Sequence, residues 1–147
     1  MANQQQLDLL KQEVATTWNM WRAEHPDTAI KLNGVDLSEA NLGEVNLAGA
    51  DLSGADLSRA DLNNANLSKA RLAGTDLSGA NLAAADLSAA DLSQANLREA
   101  NLRYADLAGA NLHGADVREA RLYWALLEGA LITPEQLSQA RVIGDSL

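Results

Sequence analysis

The sequence has no cysteine and no phenylalanine, and its only aromatic side chains besides histidine are three tryptophans and two tyrosines in 147 residues. Without cysteine the chain has no disulfide framework, no cysteine-based zinc site and no thiol nucleophile. Because rings are scarce, the apolar content of 47% is carried almost entirely by alanine and leucine. We therefore expect a core that is filled by small and branched aliphatic side chains.

Positive charge is also in deficit, since 11 Lys and Arg stand against 20 Asp and Glu and give a formal net charge of −9. This balance disfavours non-specific binding to nucleic acid or to anionic lipid. No stretch approaches the roughly eighteen apolar residues of a membrane span, and the first residues lack the basic and apolar regions of a secretory signal. By length the chain is one domain, and we expect it to be cytoplasmic.

A five-residue repeat occupies most of the chain. Leucine fills nineteen of the twenty positions spaced five apart from Leu32 to Leu127, with Val117 as the exception. The residue two before each is alanine in sixteen of the twenty units, and the residue just before is Asp or Asn in sixteen. A period of five matches neither a helix nor a flat strand. It predicts a solenoid, in which each unit buries its apolar residues against its neighbours.

The repeating unit, alanine, then Asp or Asn, then leucine and two variable residues, resembles the pentapeptide-repeat family over roughly two thirds of the chain. The resemblance implies an all-β solenoid, a right-handed quadrilateral β-helix in which four units form one square coil. It implies about five coils, stacked about 4.8 Å apart, with alanine and leucine pointing inward. Cyanobacterial members share a short tryptophan-containing helix before the repeats, as this chain does.

The turns between units also have a sequence signature. Glycine ends eight of the twenty units, which predicts type II turns because the third residue of such a turn needs a positive φ. The outward Asp and Asn side chains are expected to bond to the neighbouring backbone at these turns.

Helices are predicted on both sides of the repeat. Apolar residues spaced three and four apart predict one helix from about Gln5 to Glu24, ended by Pro26. Its apolar stripe consists of Leu7, Leu10, Val14, Trp18 and Trp21. Thr133 as N-cap, Pro134 at the first position and a capping box with Gln136 predict a second, short helix.

Because the open end of a β-helix exposes unpaired backbone groups, these helices are interpreted as caps. We expect residues 1–29 to form an N-terminal capping helix and linker, 30–132 the β-helix, and 133–147 a C-terminal cap helix and tail. Trp18 and Trp21 supply the covering surface in this interpretation. The alternative is that they face outward as an interface for a partner or a second copy.

No constellation for chemistry is present. The two histidines, His25 and His113, are far apart, and no phosphate-binding loop, nucleophile elbow or zinc-protease motif occurs. A column of Asp36, Asp56 and Asp76 can attract a cation, but Asn96 interrupts it and solvated carboxylates are the favoured interpretation. We predict no enzyme activity, no catalytic, cofactor-binding or metal-binding residues and no cofactor.

One surface has the composition of a protein interface. Sorting the outward residues with a period of twenty places Tyr104 beneath Trp124 and Arg103 beneath Tyr123. Tyr, Trp and Arg dominate interface energetics. The candidate protein-binding patch consists of Arg98, Arg103, Tyr104, Arg118, Arg121, Tyr123 and Trp124. The alternative is that the C-terminal helix covers Trp124 and Tyr104 packs on its stem.

The favoured function is a non-catalytic structural or protein-interaction module that presents a rigid β-helical surface to an unknown protein partner. It predicts no direct nucleic-acid binding, no membrane, and either a monomer or a homodimer through the rod ends or a smooth face. The alternative is a DNA-mimicking inhibitor of a type II topoisomerase, DNA gyrase, as in some family members. Residues 30–129 carry fourteen acidic and eight basic side chains, a net of −6, whereas duplex DNA of about 24 Å carries roughly 14 charges.

Overall fold

Parallel bridges between residues twenty apart organise the structure, a computed structural model that describes residues 1–12 and 15–142. The bridges run from Lys31–Asp51 to Arg121–Arg141 and recur at nearly every fifth residue between them. Each is an isolated bridge, because a turn follows within two residues. Units five residues apart thus lie on four successive sides, and every twentieth residue returns to the same side. This arrangement is a quadrilateral β-helix.

Backbone hydrogen bonds join each coil of twenty residues to the next with a constant stagger. The Leu52 N–H donates to the Arg71 carbonyl at 2.8 Å, and the Arg71 N–H donates to the Ala50 carbonyl at 2.9 Å. A third bond joins Gly54 to Ala73 at 2.9 Å. Because this set repeats along the chain, most backbone N–H and C=O groups of the inner coils are paired without extended strands.

The interior is a closed stack of leucine and alanine. Every repeat leucine from Leu32 to Leu112, together with Val117 and Leu122, is buried, which confirms the predicted inward orientation. Thr75 occupies an alanine position, and its hydroxyl donates to the Leu52 carbonyl at 2.8 Å. That bond satisfies the one buried threonine hydroxyl of the stack.

All twenty turns share one backbone conformation, whether or not they contain glycine. All eight predicted glycines have positive φ, but so do twelve other residues at the same position of their units, which makes twenty turns in all. The Asp and Asn side chains then hold the turns, as predicted, by accepting a bond from the N–H two residues later. In the Asp56 turn the Ser58 N–H and hydroxyl both donate to one carboxylate oxygen, at 2.9 and 2.6 Å.

The N-terminal region differs from the prediction of one helix over residues 5–24. It forms two helices, α1 at Gln4–Leu10 and α2 at Ala15–Glu24, with a turn at Lys11. Val14, placed in the apolar stripe of the single helix, lies outside the described residues. A straight helix of that length spans about 30 Å, so the break allows both segments to lie against the first coil.

Polar side chains of α1 and α2 bond to the open backbone edge of the first coil, residues 30–49. The Gln6 amide donates to the Ala29 carbonyl and accepts from the Lys31 N–H, both at 2.8 Å. The Asn19 amide likewise donates to the Glu44 carbonyl at 3.0 Å and accepts from the Asn46 N–H at 2.7 Å. Each amide therefore replaces the peptide group that a preceding coil would supply.

The C-terminal helix α3, Pro134–Gln139, begins as predicted, with Thr133 as N-cap and a capping box to Gln136. The Gln136 side chain also donates to the Leu112 carbonyl at 2.7 Å and to the Ala115 carbonyl at 3.0 Å. After α3 the chain rejoins the ladder, because Arg141 bridges to Arg121. None of the described helices is long and apolar enough to cross a membrane.

Replacing Gln6 by alanine removes two hydrogen bonds to the edge of the first coil. We expect the free energy of unfolding, measured by denaturant titration, to fall by about 1–3 kcal/mol, because the Lys31 N–H and the Ala29 carbonyl lose their partner. The Lys31 amide should also exchange faster with solvent. Gln5→Ala, an exposed change in the same helix, should stay within about 0.5 kcal/mol. Equal losses in both variants would contradict this role for Gln6.

Candidate protein-binding surface

One side of the β-helix carries most of the aromatic residues of the repeat region. We call it the aromatic face: the outward surface of the side built on Leu42, Leu62, Leu82, Leu102 and Leu122. A row of amides runs along it, because Asn81 donates to Asp61 and Asn101 donates to Asn81, both at 3.2 Å. This row fixes the polar margin of the face from one coil to the next.

Tyr104 and Trp124 form an exposed aromatic stack on this face. Their ring centroids lie 5.0 Å apart with an interplanar angle of 10°. The two residues are twenty apart, so the coil stacking places one above the other. Both keep most of their surface in solvent, with 58% and 61% exposed. The C-terminal helix therefore does not cover Trp124, and the stack is available for contact.

The backbone under the stack has the conformation that glycine occupies elsewhere. Tyr104 has φ of 61° and Trp124 has φ of 57°. For a bulky residue such a φ is unusual and costs free energy. At this position of the unit the two rings are the only aromatic residues among the twenty turns. The chain thus holds large rings at a turn position that glycine occupies in eight of the twenty units.

Arg103 lies beside the stack and packs on two rings. Its guanidinium carbon is 5.6 Å from the centroid of Tyr123 and 5.8 Å from that of Trp124, within reach of cation–π attraction. Tyr123 itself is buried, with 8% exposed, and meets Trp124 edge-on at 6.2 Å. The buried Arg103 Nε has no hydrogen-bond partner among the described residues. The cation is therefore held by the rings rather than by a carboxylate.

The other predicted arginines divide between two sides. Arg121 is exposed on the aromatic face, whereas Arg98 and Arg118 lie on the neighbouring side. Arg118 is committed to Asp116, with bonds of 2.9 Å from Nε and 2.6 Å from Nη2. Those bonds are the main cause that lowers the pKa of the Asp116 carboxyl and raises the pKa of Arg118.

Arg141 joins the aromatic face although the sequence placed it in a C-terminal cap. It returns to the ladder beside Arg121, and its guanidinium bonds to Glu119 at 2.8 and 2.7 Å. That bond raises the pKa of Arg141, with a smaller contribution from Tyr123. Although α3 replaces one side of the square, Ala140, Arg141 and Val142 match the alanine, outward and apolar positions of the unit twenty residues earlier, Ala120, Arg121 and Leu122.

The two N-terminal tryptophans occupy different environments. Trp18 is 1% exposed, and its indole N–H donates to the Asn46 carbonyl at 2.7 Å. Trp21 is half-buried, with its ring 5.4 Å from that of Trp18 and 4.6 Å from that of His25. Arg22 also reaches the first coil and donates to the Ala48 carbonyl at 2.8 Å. Only Trp21 presents ring surface to solvent.

Among residues 1–12 and 15–142 no group of three or more metal-ligating side chains is placed to hold an ion. His25 contacts the Trp21 carbonyl at 2.9 Å, and His113 is exposed on a turn. A shallow groove on the neighbouring side is lined by Arg59, Asp76, Asn96, Arg98 and Glu99 together with serine and glycine.

Replacing Tyr104 by glycine should leave the fold intact. The stack is worth about 0.5–1.5 kcal/mol, and glycine relieves the positive φ, so we expect the free energy of unfolding to change by less than about 1 kcal/mol. Ala83→Gly serves as the comparison, because Ala83 lies one residue before the positive-φ position of its unit. Glycine relieves no strain there and should be destabilising by about 0.5–1 kcal/mol. A loss above roughly 2 kcal/mol for Tyr104→Gly would show that the ring is structural.

The pKa of Asp116 should depend on Arg118. A carboxyl whose folded pKa lies below its unfolded value of about 3.9 stabilises the fold above about pH 4. Its contribution disappears as the pH falls through the folded pKa. Arg118→Gln should raise the pKa of Asp116 toward the unfolded value in a side-chain NMR titration, and weaken the acid dependence of stability. Arg59→Gln serves as the control, and identical titration of Asp116 in the wild type and Arg118→Gln would rule the interaction out.

Comparison with known proteins agrees with this architecture. The model of the pentapeptide repeats matches residues 30–68, 65–103 and 95–133. No curated protein shows significant similarity to the chain.

Similar solved structures come from a plant and from cyanobacteria. A pentapeptide repeat protein of the Arabidopsis thaliana thylakoid lumen is 27% identical, with 78% of this chain and 79% of that one covered and a TM-score of 0.66. One from Nostoc is 36% identical, with 76% and 83% covered and a TM-score of 0.54. One from Cyanothece is 28% identical, with 89% and 97% covered and a TM-score of 0.48. The bridges twenty residues apart and the buried leucine stack agree with the family model over residues 30–133, and the chain belongs to the pentapeptide-repeat family.

Proposed function

We propose that this protein is a non-catalytic interaction module that binds a protein partner through the C-terminal end of its aromatic face. The observation that carries the proposal is the exposed stack of Tyr104 and Trp124. Large rings in solvent lose little conformational entropy on binding and bury a large area. Their position on a hydrogen-bonded coil keeps them in place before the partner arrives.

The patch proposed from the sequence narrows on this basis. Its centre is Tyr104 and Trp124, with Arg103 and Tyr123 supporting the rings from the side and Arg121 at the margin. Arg98 and Arg118 lie around the corner, and the bonds of Arg118 to Asp116 reduce what it can offer a partner. We assign these two to the rim, where charge affects association rate more than affinity.

The two ends of the chain act as caps in this proposal. Residues 1–29 form the N-terminal cap and linker, 30–132 the β-helix of five coils, and 133–147 the C-terminal cap and tail. The bonds of Gln6, Trp18, Asn19 and Arg22 to the first coil support a capping role at one end, and those of Gln136 support it at the other. Trp18 then belongs to the cap, and Trp21 is the remaining candidate for an N-terminal contact. Since the N-terminal helices bond to the edge that a second copy would need, we propose a monomer in preference to an end-to-end homodimer.

A DNA-mimicking role directed at gyrase is less compatible with the aromatic face. A phosphate mimic needs carboxylates along its contact surface, whereas the C-terminal half of this face presents Arg103, Arg121 and Arg141. The proposal assumes a cytoplasmic protein. The related protein of the thylakoid lumen indicates that members of the family are not confined to the cytoplasm.

Affinity capture with matched variants tests the interaction module. Tagged wild type, Tyr104→Gly/Trp124→Gly and the control Arg59→Gln/Lys69→Gln are exposed to lysate of the native host, and bound proteins are identified by mass spectrometry. A protein that the wild type and the control enrich at least fivefold over the aromatic variant is expected, as loss of two central rings costs at least about 1–2 kcal/mol. The same proteins with all three baits would refute the patch. Inhibition of gyrase supercoiling by micromolar wild type would favour the mimic instead.

A further inference from the structure

We propose that the aromatic face recognises an acidic protein segment that inserts a planar side chain next to Tyr104. This inference rests on the proposed function and adds the chemistry of the partner. It follows from the charge of the face, from a step in its surface and from the orientation of the stack.

The C-terminal half of the aromatic face is basic although the protein as a whole is acidic. Its outward residues, in the ranges 81–84, 101–104 and 121–124, include two arginines and no carboxylate. Arg141 adds a third guanidinium beside Arg121. Charges farther away than about 8–10 Å are largely screened at physiological salt. A segment bound on this face therefore meets these guanidinium groups directly, whereas the nearest carboxylates, Glu99 and Glu119, lie on the neighbouring side, and Glu119 is already paired with Arg141.

The arginines differ in the salt bridges and cation–π contacts that they already make within the protein. Arg141 bonds to Glu119, and Arg103 is held between two rings. Arg121 is exposed and makes no salt bridge within the described part of the chain. A guanidinium offers paired donors that match a carboxylate. Arg121 is accordingly the residue that first meets an acidic side chain of the partner.

A step lies directly beneath the stack. One coil before Arg103 and Tyr104, the same two positions are Ala83 and Ala84, and the Ala84 N–H donates to the Arg103 carbonyl at 2.8 Å. The ring of Tyr104 thus has Trp124 on one side and only a methyl group at the level below. Coils repeat at about 4.8 Å, which is close to the spacing of stacked rings. A planar side chain placed over Ala84 extends the stack by one member.

A protein segment fits these features better than a nucleic acid does. A peptide can place one or two carboxylates beside Arg121 and one ring over Ala84 while the rest of it stays neutral. A nucleic acid carries a phosphate at every nucleotide, and its length would run along a protein whose other sides carry most of the twenty acidic residues. We therefore expect an acidic peptide with a single ring to bind in preference to a single strand of DNA.

Binding of synthetic probes to the purified full chain tests this inference. The first probe is a labelled dodecapeptide that alternates glutamate with serine and carries one central tryptophan. The second replaces each glutamate with glutamine, the third replaces the tryptophan with alanine, and the fourth is a dodecamer of deoxythymidine. Fluorescence anisotropy at low and physiological salt should show saturable binding of the first probe, weakened at least tenfold in the second and third.

Variants connect the binding to named residues. Arg121→Gln and Tyr104→Gly/Trp124→Gly should each weaken the first probe by about tenfold, whereas Arg59→Gln/Lys69→Gln should change it less than twofold. Ala84→Trp, which fills the step with a side chain of the protein itself, should also weaken it. Circular dichroism establishes that each variant is folded, and Arg121→Gln carries the test if an aromatic variant is not.

The outcomes separate the two proposals. Absence of saturable binding, equal binding of the glutamine peptide, or tighter binding of the deoxythymidine dodecamer would each overturn the acidic-segment inference. If in addition the captured partner depends on Tyr104 and Trp124, the interaction module stands with a partner of different chemistry. If capture too is insensitive to these rings, both proposals fail.

Discussion

The structure depends on the backbone hydrogen bonds that join each coil to the next with a constant stagger. Because the Leu52 N–H reaches the Arg71 carbonyl and the Arg71 N–H reaches that of Ala50, every residue lies over the one twenty positions earlier. The leucine stack, the Asp and Asn turns and the outward columns all follow from this register. Side chains on the outside are then free to differ, since the backbone and the buried aliphatics already specify the fold.

Much of this architecture is readable in the sequence because the same physical problem is solved twenty times. A leucine at Leu72 is buried for the same reason as one at Leu92, so repetition makes the inference from each unit stronger. The C-terminal helix is equally readable, because Thr133, Pro134 and Gln136 are local signals that act within one turn. The column of Tyr104 and Trp124 follows from the period alone, once the coil is known to have four sides.

Other features depend on contacts that no local pattern reveals. The break between α1 and α2 serves the bonds of Gln6 and Asn19 to the first coil, and an apolar periodicity carries no information about polar side chains. The exposure of Trp124 does not follow from the sequence, because it depends on where α3 lies. Arg141 also lies in register with Arg121, but α3 separates its unit, Ala140, Arg141 and Val142, from the continuous repeat, and a single isolated unit is a weak signal.

The four-sided register also constrains how such a surface can change. Inserting one unit of five residues between Ala84 and Arg103 would keep the ring of Tyr104 stacked with Trp124, since both would move together. It would, however, rotate them a quarter turn relative to α1 and α2 and place them in line with a different set of side chains from the earlier coils, without Ala83 and Ala84 below. Only insertions of whole coils preserve the arrangement, so the length of the rod can vary in steps of twenty residues while the composition of each side stays in phase.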